Sequence, residues 1–139
     1  MAPSLLNSLG TLCMIDALFN QPNYLAAKKT LDVVALRQEA IASNIANLET
    51  PGYKRLDIAP AFQAELDRAC AARNSEQLAA LKPTLAVDPT ALPNGRDGNT
   101  VSLEREMMLM SQNTLTNALE TQLVAGTFSK LRMAITGKS

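Results

Sequence analysis

The side chains in this sequence that could do chemistry are two cysteines, two close acid pairs and one pair of asparagine amides. Cys13 and Cys70 could supply a thiolate, a disulfide or part of a metal site. They lie in different segments with no CxxC or Cys/His spacing, and read as two small hydrophobes. The chain has no histidine, so the commonest general base and metal ligand near neutral pH is missing. Glu104/Glu106 and Glu65/Asp67 could form acid/base pairs. Their members stand two apart on predicted helices and face different directions, which predicts solvated helix surface. A phosphate-cradling GxxxxGK loop, a GxGxxG turn and an HExxH pair are all absent. The residues therefore predict no enzyme, no catalytic or metal-ligating residue and no cofactor.

Asn44 and Asn47 carry more information. Three residues apart on a helix, their amides share one side. They could cap the helix end locally, which asparagine does well, or hydrogen-bond between subunits in a wall of packed helices. The cluster Met107-Met108-Leu109-Met110 reads as core filler, or as a core formed between subunits.

The elements that position these groups are helical. Ala27, Leu31, Val34, Ile41, Ile45 and Leu48 recur in steps of four and three, with Gln38 as the polar member of the row. This predicts a first long helix over about 25–47 with a coiled-coil-like seam. Gln38 either fixes the register of that seam or lies at its solvated margin. The helix must stop at Thr50-Pro51-Gly52-Tyr53. Pro51 cannot continue it, and Gly52 supplies the positive φ of the third position of a type II turn. A shorter helix is expected over 60–73, with Phe62, Leu66 and Ala69 on one side. From 75 to 100, Pro83, Pro89, Pro93, Gly95 and Gly98 interrupt every pattern. That stretch reads as a mobile connector with one helical turn near Glu76–Leu81.

A last long helix is expected over 102–136, ending near Gly137. Glu104 and Glu106 in its first turn and Lys130 and Arg132 near its end suit the helix dipole. Leu103, Met107, Met110, Val124, Phe128, Leu131 and Ile135 share one heptad frame. Thr114, Asn117 and Thr121 interrupt it, and there Leu115, Leu119 and Leu123 carry the apolar stripe. A stripe that shifts around the helix suggests more than one neighbour. Met1–Asn20 holds Leu5, Leu9, Leu12 and Phe19 in a 4-3-7 rhythm, with Asp16 in the skipped position. It reads as a short amphipathic helix stabilised by docking, not as a secretory signal, since no Lys or Arg precedes Lys28. The segments are 1–24, 25–56, 57–100 and 101–139.

Composition agrees with helix-on-helix packing. Of 139 residues, 47% are hydrophobic but only 4% aromatic, with no tryptophan. Leu, Ile, Val, Met and Ala must fill the seams. Thirteen basic residues balance 13 acidic ones, so nothing pulls the chain onto nucleic acid or anionic lipid. The longest apolar run is far short of a membrane span.

Ala42, Asn44, Ile45, Ala46, Asn47, Thr50, Pro51, Gly52 and Tyr53 match an A-x-N-I-A-N-x-x-T-P-G-Y run. This resembles the signature that closes the first long helix of flagellar rod, hook and hook-filament junction proteins. The stretch from Asp97 to Ile135 is similar to the last helix of the proximal rod members of the flagellar basal-body rod protein family. The resemblance runs from about 25 to 137 and is weak over 57–93. It implies an all-α subunit whose terminal helices pair and stack into a tubular rod that transmits torque. It implies an assembly interface at Leu31, Val34, Gln38, Ile41, Asn44, Ile45, Asn47, Leu48, Leu115, Leu119, Leu123, Val124, Phe128, Leu131 and Ile135. It also implies a periplasmic place in the basal body and export through the flagellar type III apparatus without a cleaved signal; Met1–Asn20, outside the resemblance, is expected from its amphipathic pattern to dock at the rod base, against the export gate or the adaptor. The implied partners are other rod subunits, the adaptor joining rod to membrane ring, the membrane ring and the export gate; no nucleic acid or small-molecule substrate is expected. The alternative is a soluble helical adaptor or export chaperone that binds a partner helix.

Overall fold

The computed structural model describes residues 21–94 and 96–137. Cys13 and the amphipathic helix expected within Met1–Asn20 lie outside the described residues. Helix α1 spans Pro22–Ala46, strand β1 Leu56–Ile58, α2 Pro60–Ala71, α3 Ser75–Ala80, β2 Leu85–Val87 and α4 Leu103–Thr136. Pro22 and Pro60 open α1 and α2, where a missing N–H costs nothing. Ser102 caps α4 by accepting from the Arg105 amide, and Gly137 ends it in the left-handed conformation.

The two long helices lie antiparallel. Tyr24 meets Phe128 edge-to-face with ring centroids 6.2 Å apart. The Asn113 amide donates to Val34 O at 2.9 Å and to Gln38 Oε1 at 3.0 Å, and Asn44 Nδ2 donates to Glu106 Oε2 at 3.2 Å. Position rises along α1 as it falls along α4. With 25 and 34 residues, the helices are about 37 and 51 Å long.

Over the first half of α4 the side turned to α1 is not the one the heptad frame indicates, whereas Val124 and Leu131 of that frame do lie on the covered side. Leu103, Met107 and Met110 from that frame are exposed. The covered row is Glu106, Leu109, Asn113, Thr116, Glu120, Val124, Thr127 and Leu131, again in steps of three and four. Its first half is polar, so apolar patterning cannot reveal it. Hydrogen bonds to α1 hold that half in place.

The middle of the chain folds, which corrects the expected mobile connector and the expected all-α architecture. The protein is mostly helical with a small two-stranded sheet. β1 and β2 pair antiparallel, with Leu56 opposite Val87 and Ile58 opposite Leu85. Asp88 N donates to Arg55 O and Ala59 N to Thr84 O, both at 2.9 Å, extending the ladder at each end. Val33, Ile58, Phe62, Leu66, Ala69, Leu78 and Leu81 form the core, flanked by Leu25, Leu36 and Leu85. Lys29 Nζ donates to Leu81 O at 2.7 Å and ties α1 to the end of α3. Strands of three residues and a helix of six are too short to show a period. Pro83 and Pro89 flank β2 rather than break it, as strand boundaries allow.

α1 is thus covered on two sides, by α4 and by the middle. Leu78 has no exposed surface, so Leu78→Ala should cost about 2–5 kcal/mol in urea unfolding. An unchanged midpoint would mean that the middle does not pack on α1.

Candidate functional site

The turn that closes α1 delivers the chain into a buried polar cluster. Tyr53 N donates to Thr50 O at 3.3 Å, and Gly52 has φ +72°. A Cβ on Gly52 would touch nothing, so the backbone angle alone selects glycine there. Asn99 holds the end of α1. Its Nδ2 lies 3.0 Å from Asn47 O and 2.9 Å from both Leu48 O and Thr50 O. These carbonyls belong to the turn that follows α1. Gly52 N donates to Asp97 O at 2.9 Å, Thr100 N donates to Tyr53 O at 3.1 Å, and Arg55 N donates to Thr100 Oγ1 at 2.9 Å. The segment before α4 is therefore laced onto the segment after α1.

Asn44 has no exposed surface. Its Oδ1 accepts from Leu56 N at 2.9 Å and from the Tyr53 hydroxyl at 3.4 Å. Its Nδ2 donates to Leu56 O at 2.9 Å and to Glu106 Oε2. The amide copies the pairing of a strand neighbour, and its two donors and two acceptor sites are all used within the chain. It has nothing left for another subunit, which corrects the intersubunit reading. Asn47 acts locally, donating to Ser43 O at 2.9 Å and accepting from Thr50 Oγ1 at 3.2 Å.

Arg55 is the centre of the cluster. It is 1% exposed, with Nε 2.6 Å from Glu106 Oε1 and Nη1 2.7 Å from Asp88 Oδ2 and 2.9 Å from Asp57 Oδ2. Arg37 Nε reaches Asp57 at 3.2 Å, and Arg105 Nη2 reaches Asp88 at 3.0 Å. Three guanidinium groups thus face three carboxylates drawn from α1, β1, the end of β2 and α4. Glu106 has no exposed surface, which corrects its assignment to solvated helix surface. Glu104 is the exposed member of that pair and accepts from Ser102 Oγ at 2.8 Å.

Burial would raise the Asp57 carboxyl, but the Ile58 amide and the Arg55 and Arg37 charges outweigh it and hold it below the usual carboxylate range. Burial likewise opposes the Asp88 charge. The Thr90 hydroxyl and amide, then Arg105 and Arg55, outweigh it and lower Asp88 too. Burial would lower Arg55, but its bonds to Glu106 and Asp57 raise it above the ordinary arginine value. Every carboxylate here is turned to a guanidinium. Among the described residues no group of three or more His, Cys, Asp or Glu is placed to hold a metal. The cluster can lock elements together; it presents no nucleophile or base to a substrate.

The other residues expected at an interface divide into two sets. Val34 and Ile41 are buried inside the chain, which corrects their assignment to a face between subunits; α4 and the middle already cover α1. Leu31, Ile45, Leu48, Val124 and Leu131 are half-buried and Gln38 is exposed at the seam margin. Leu115, Leu119 and Leu123 are 63%, 59% and 61% exposed, and Ile135 is 75% exposed. Phe128 is exposed on one side and packs on Tyr24 by the other. Sequence reasoning missed Arg55, Asp57, Asp88, Asn99 and Asn113. Each has a partner twenty or more residues away, and no local pattern joins them.

A model of the family described as flagella basal body rod protein matches residues 26–54, which take in all but the first turn of α1 and the turn after it. The chain is 32% identical to the flagellar basal body rod protein FlgB of Borrelia hermsii over 127 residues, 78% of this chain and 92% of that protein. It is 32% identical over 115 residues to the protein of the same name from Escherichia coli strain K12, covering 71% of this chain and 82% of that one. The Bacillus subtilis strain 168 protein of that name is 28% identical over 115 residues, covering 73% and 84%.

Two expectations follow from the site. Gly52→Ala should lose about 1–2 kcal/mol of stability through the left-handed angle. Gly52→Asn should lose less, because asparagine tolerates that angle. Equal losses in denaturant titration would point to side-chain space instead. Asp57 and Asp88 have lowered values, so their stabilisation is complete above the ordinary carboxylate range, begins to be lost as pH falls into it, and is gone only below their lowered folded values. Urea midpoints should drop on acidification, and Asp88→Asn should flatten that drop.

Proposed function

We propose, from the premise that this chain belongs to the FlgB family of flagellar basal body rod proteins, a specific way in which it packs into that rod. The family is structural, and the chain is a structural subunit of the flagellar basal body rod, not an enzyme. It assembles with other flagellar rod subunits.

The contact surface we assign is the outer face of α4, carried by Leu115, Leu119 and Leu123 and continued at Phe128 and Ile135. The half-buried Ile45, Asn47 and Leu48 at the end of α1 contribute a second edge. The observation that carries this is the exposure of Leu115, Leu119 and Leu123, each about three-fifths open to solvent, on a helix whose adjoining side, about 100° round, already lies on α1. An apolar row four residues apart on a long helix is surface left for a neighbouring helix. Because the row lies on a different side of α4 from the α1 seam, subunits can meet head-to-tail, and a contact of that kind that does not close makes a filament. Within each subunit α1 and α4 act as a coiled-coil-like unit, and Gln38 with Asn113 fixes its register. In this reading the subunit sits in the periplasmic proximal rod after type III export. There it adjoins the export gate and, through the adaptor, the membrane ring, and it passes torque along the rod. A free-standing adaptor or chaperone is disfavoured, since the relatives that cover most of the chain carry the rod protein name.

Leu119→Asp tests the assignment. The purified variant should keep the circular dichroism and unfolding midpoint of the parent, while cells carrying it lose rod assembly and motility. Ile41→Asp, at a site 1% exposed, should instead unfold the subunit, at a cost of several kcal/mol, on the order of 3–5. Normal swimming with Leu119→Asp would remove α4's outer face from the interface.

A further inference from the structure

Helix α4 carries two exposed apolar rows, one on each side of its seam with α1. The first is Leu115, Leu119 and Leu123. The second is Leu103, Met107 and Met110, which are 40%, 53% and 37% exposed. At about 100° per residue the rows stand roughly 150° apart around the helix, with the α1 seam between them. Leu48, at the end of α1, shares a small recess with Leu103 and extends the second row.

We propose that the leucine row of one copy seats on the Leu103, Met107 and Met110 row of the next copy, with the two α4 helices running in the same direction and staggered by about 18 Å. The inference rests on the assignment of the outer face of α4 as a contact surface, and it names the surface that face meets.

Spacing selects a second copy as the occupant. The leucines follow one another in steps of four and four residues, and the second row in steps of four and three. Leu115 therefore reaches Leu103, Leu119 reaches Met107 and Leu123 reaches Met110 at offsets of twelve, twelve and thirteen residues. The one-residue mismatch is about 1.5 Å along the axis, which an unbranched methionine side chain absorbs.

Polarity fixes the stagger. Beyond Met110 the same side of α4 presents Thr114, Asn117 and Thr121, all exposed. Copies in register would press the leucines onto these hydroxyls and this amide and strip their water. The shift of twelve residues sets apolar on apolar instead. Thr114 and Asn117 then stand opposite Gly126 and Ser129, small residues that leave room for bridging water. A twofold pairing of leucine row on leucine row would close into a dimer and leave the Leu103 row uncovered. Two different rows make the contact heterologous, so each copy keeps one row open for the next. Three or four side chains from each copy are well short of the roughly 20–30 residues a side of a stable interface, so the pairing holds in the assembled rod and not in dilute solution.

Disulfide trapping in isolated basal bodies tests the pairing, in the full-length chain with Cys13→Ser and Cys70→Ser. Within one chain Leu119 and Met107 lie about 18 Å apart along α4, so a disulfide between thiols at these positions joins two copies. Leu119→Cys with Met107→Cys should give covalent multimers on oxidation, roughly tenfold above either substitution alone. Leu119→Cys with Thr121→Cys should stay at the level of the single variants. All three positions are exposed, and swimming before oxidation reports that a variant folds and assembles. Where a doubly substituted chain does not swim, co-expressing two chains that carry one substitution each gives the same reading from the mixed dimer. A covalent dimer from Leu119→Cys alone would show two leucine rows meeting about a twofold axis and would overturn the inference. Multimers with Thr121→Cys rather than Met107→Cys would put the copies in register and overturn it as well. If no pair cross-links while Leu119→Asp still abolishes rod assembly, the row is covered by a different protein and this inference fails, with the outer face of α4 remaining an interface. Normal swimming with Leu119→Asp would remove that face itself.

Discussion

The fold depends on one buried cation. Arg55 has lost nearly all contact with water, and a guanidinium so placed must be matched by carboxylates or the structure does not form. Asp57 supplies part of the match from the adjoining strand, and Asp88 and Glu106 supply the rest from elements distant in sequence. Removing one partner of such a pair leaves an uncompensated charge, at a cost on the order of 3–5 kcal/mol. The cluster therefore couples the turn after α1, both strands and the first turns of α4 into one cooperative unit. Its value is geometric as much as energetic, because the fixed fork of the guanidinium admits one arrangement of its partners.

Asn44 performs the neutral half of the same task. By pairing with both backbone groups of Leu56 it stands in for a strand that β1 lacks on that side, and it reaches Glu106 from behind. Asn99 closes the end of α1 across the gap. Polar groups thus fix the junction, while apolar ones fill the core under α1. Such a division suits a structural rod subunit. Directional contacts resist sliding between α1 and α4, where a uniform apolar seam would tolerate a shift of one turn. Asn113 marks the cost of the polar seam. Its two donors are used on Val34 and Gln38, and its Oδ1 is a buried acceptor with no protein partner among the described residues.

The polar seam also explains what α4 leaves open. A helix has one circumference. Because Glu106, Asn113, Thr116 and Glu120 take the side that faces α1, the leucines at 115, 119 and 123 are rotated outward. The apolar surface of the chain is therefore shared between an inner core around α1 and an outer row on α4. A single subunit can satisfy the first alone; the second needs a neighbour.

Much of this was written in the sequence. Local patterns are short-range physics, so they located the two long helices to within a few residues, the turn at Thr50–Tyr53, the inward side of α2 and the motif by which the family is recognised. They located the glycine at positive φ because only backbone sterics decide it. They did not show which side of α4 meets α1, that residues 75–100 fold, or that Glu106 is buried. Those outcomes depend on pairings across tens of residues. Arg55 has no reason to be buried until Glu106, Asp88 and Asp57 converge on it, and a three-residue strand has no pattern until its partner lies beside it. A buried ionic cluster looks like ordinary surface charge when read along the chain, because its charges balance only in three dimensions.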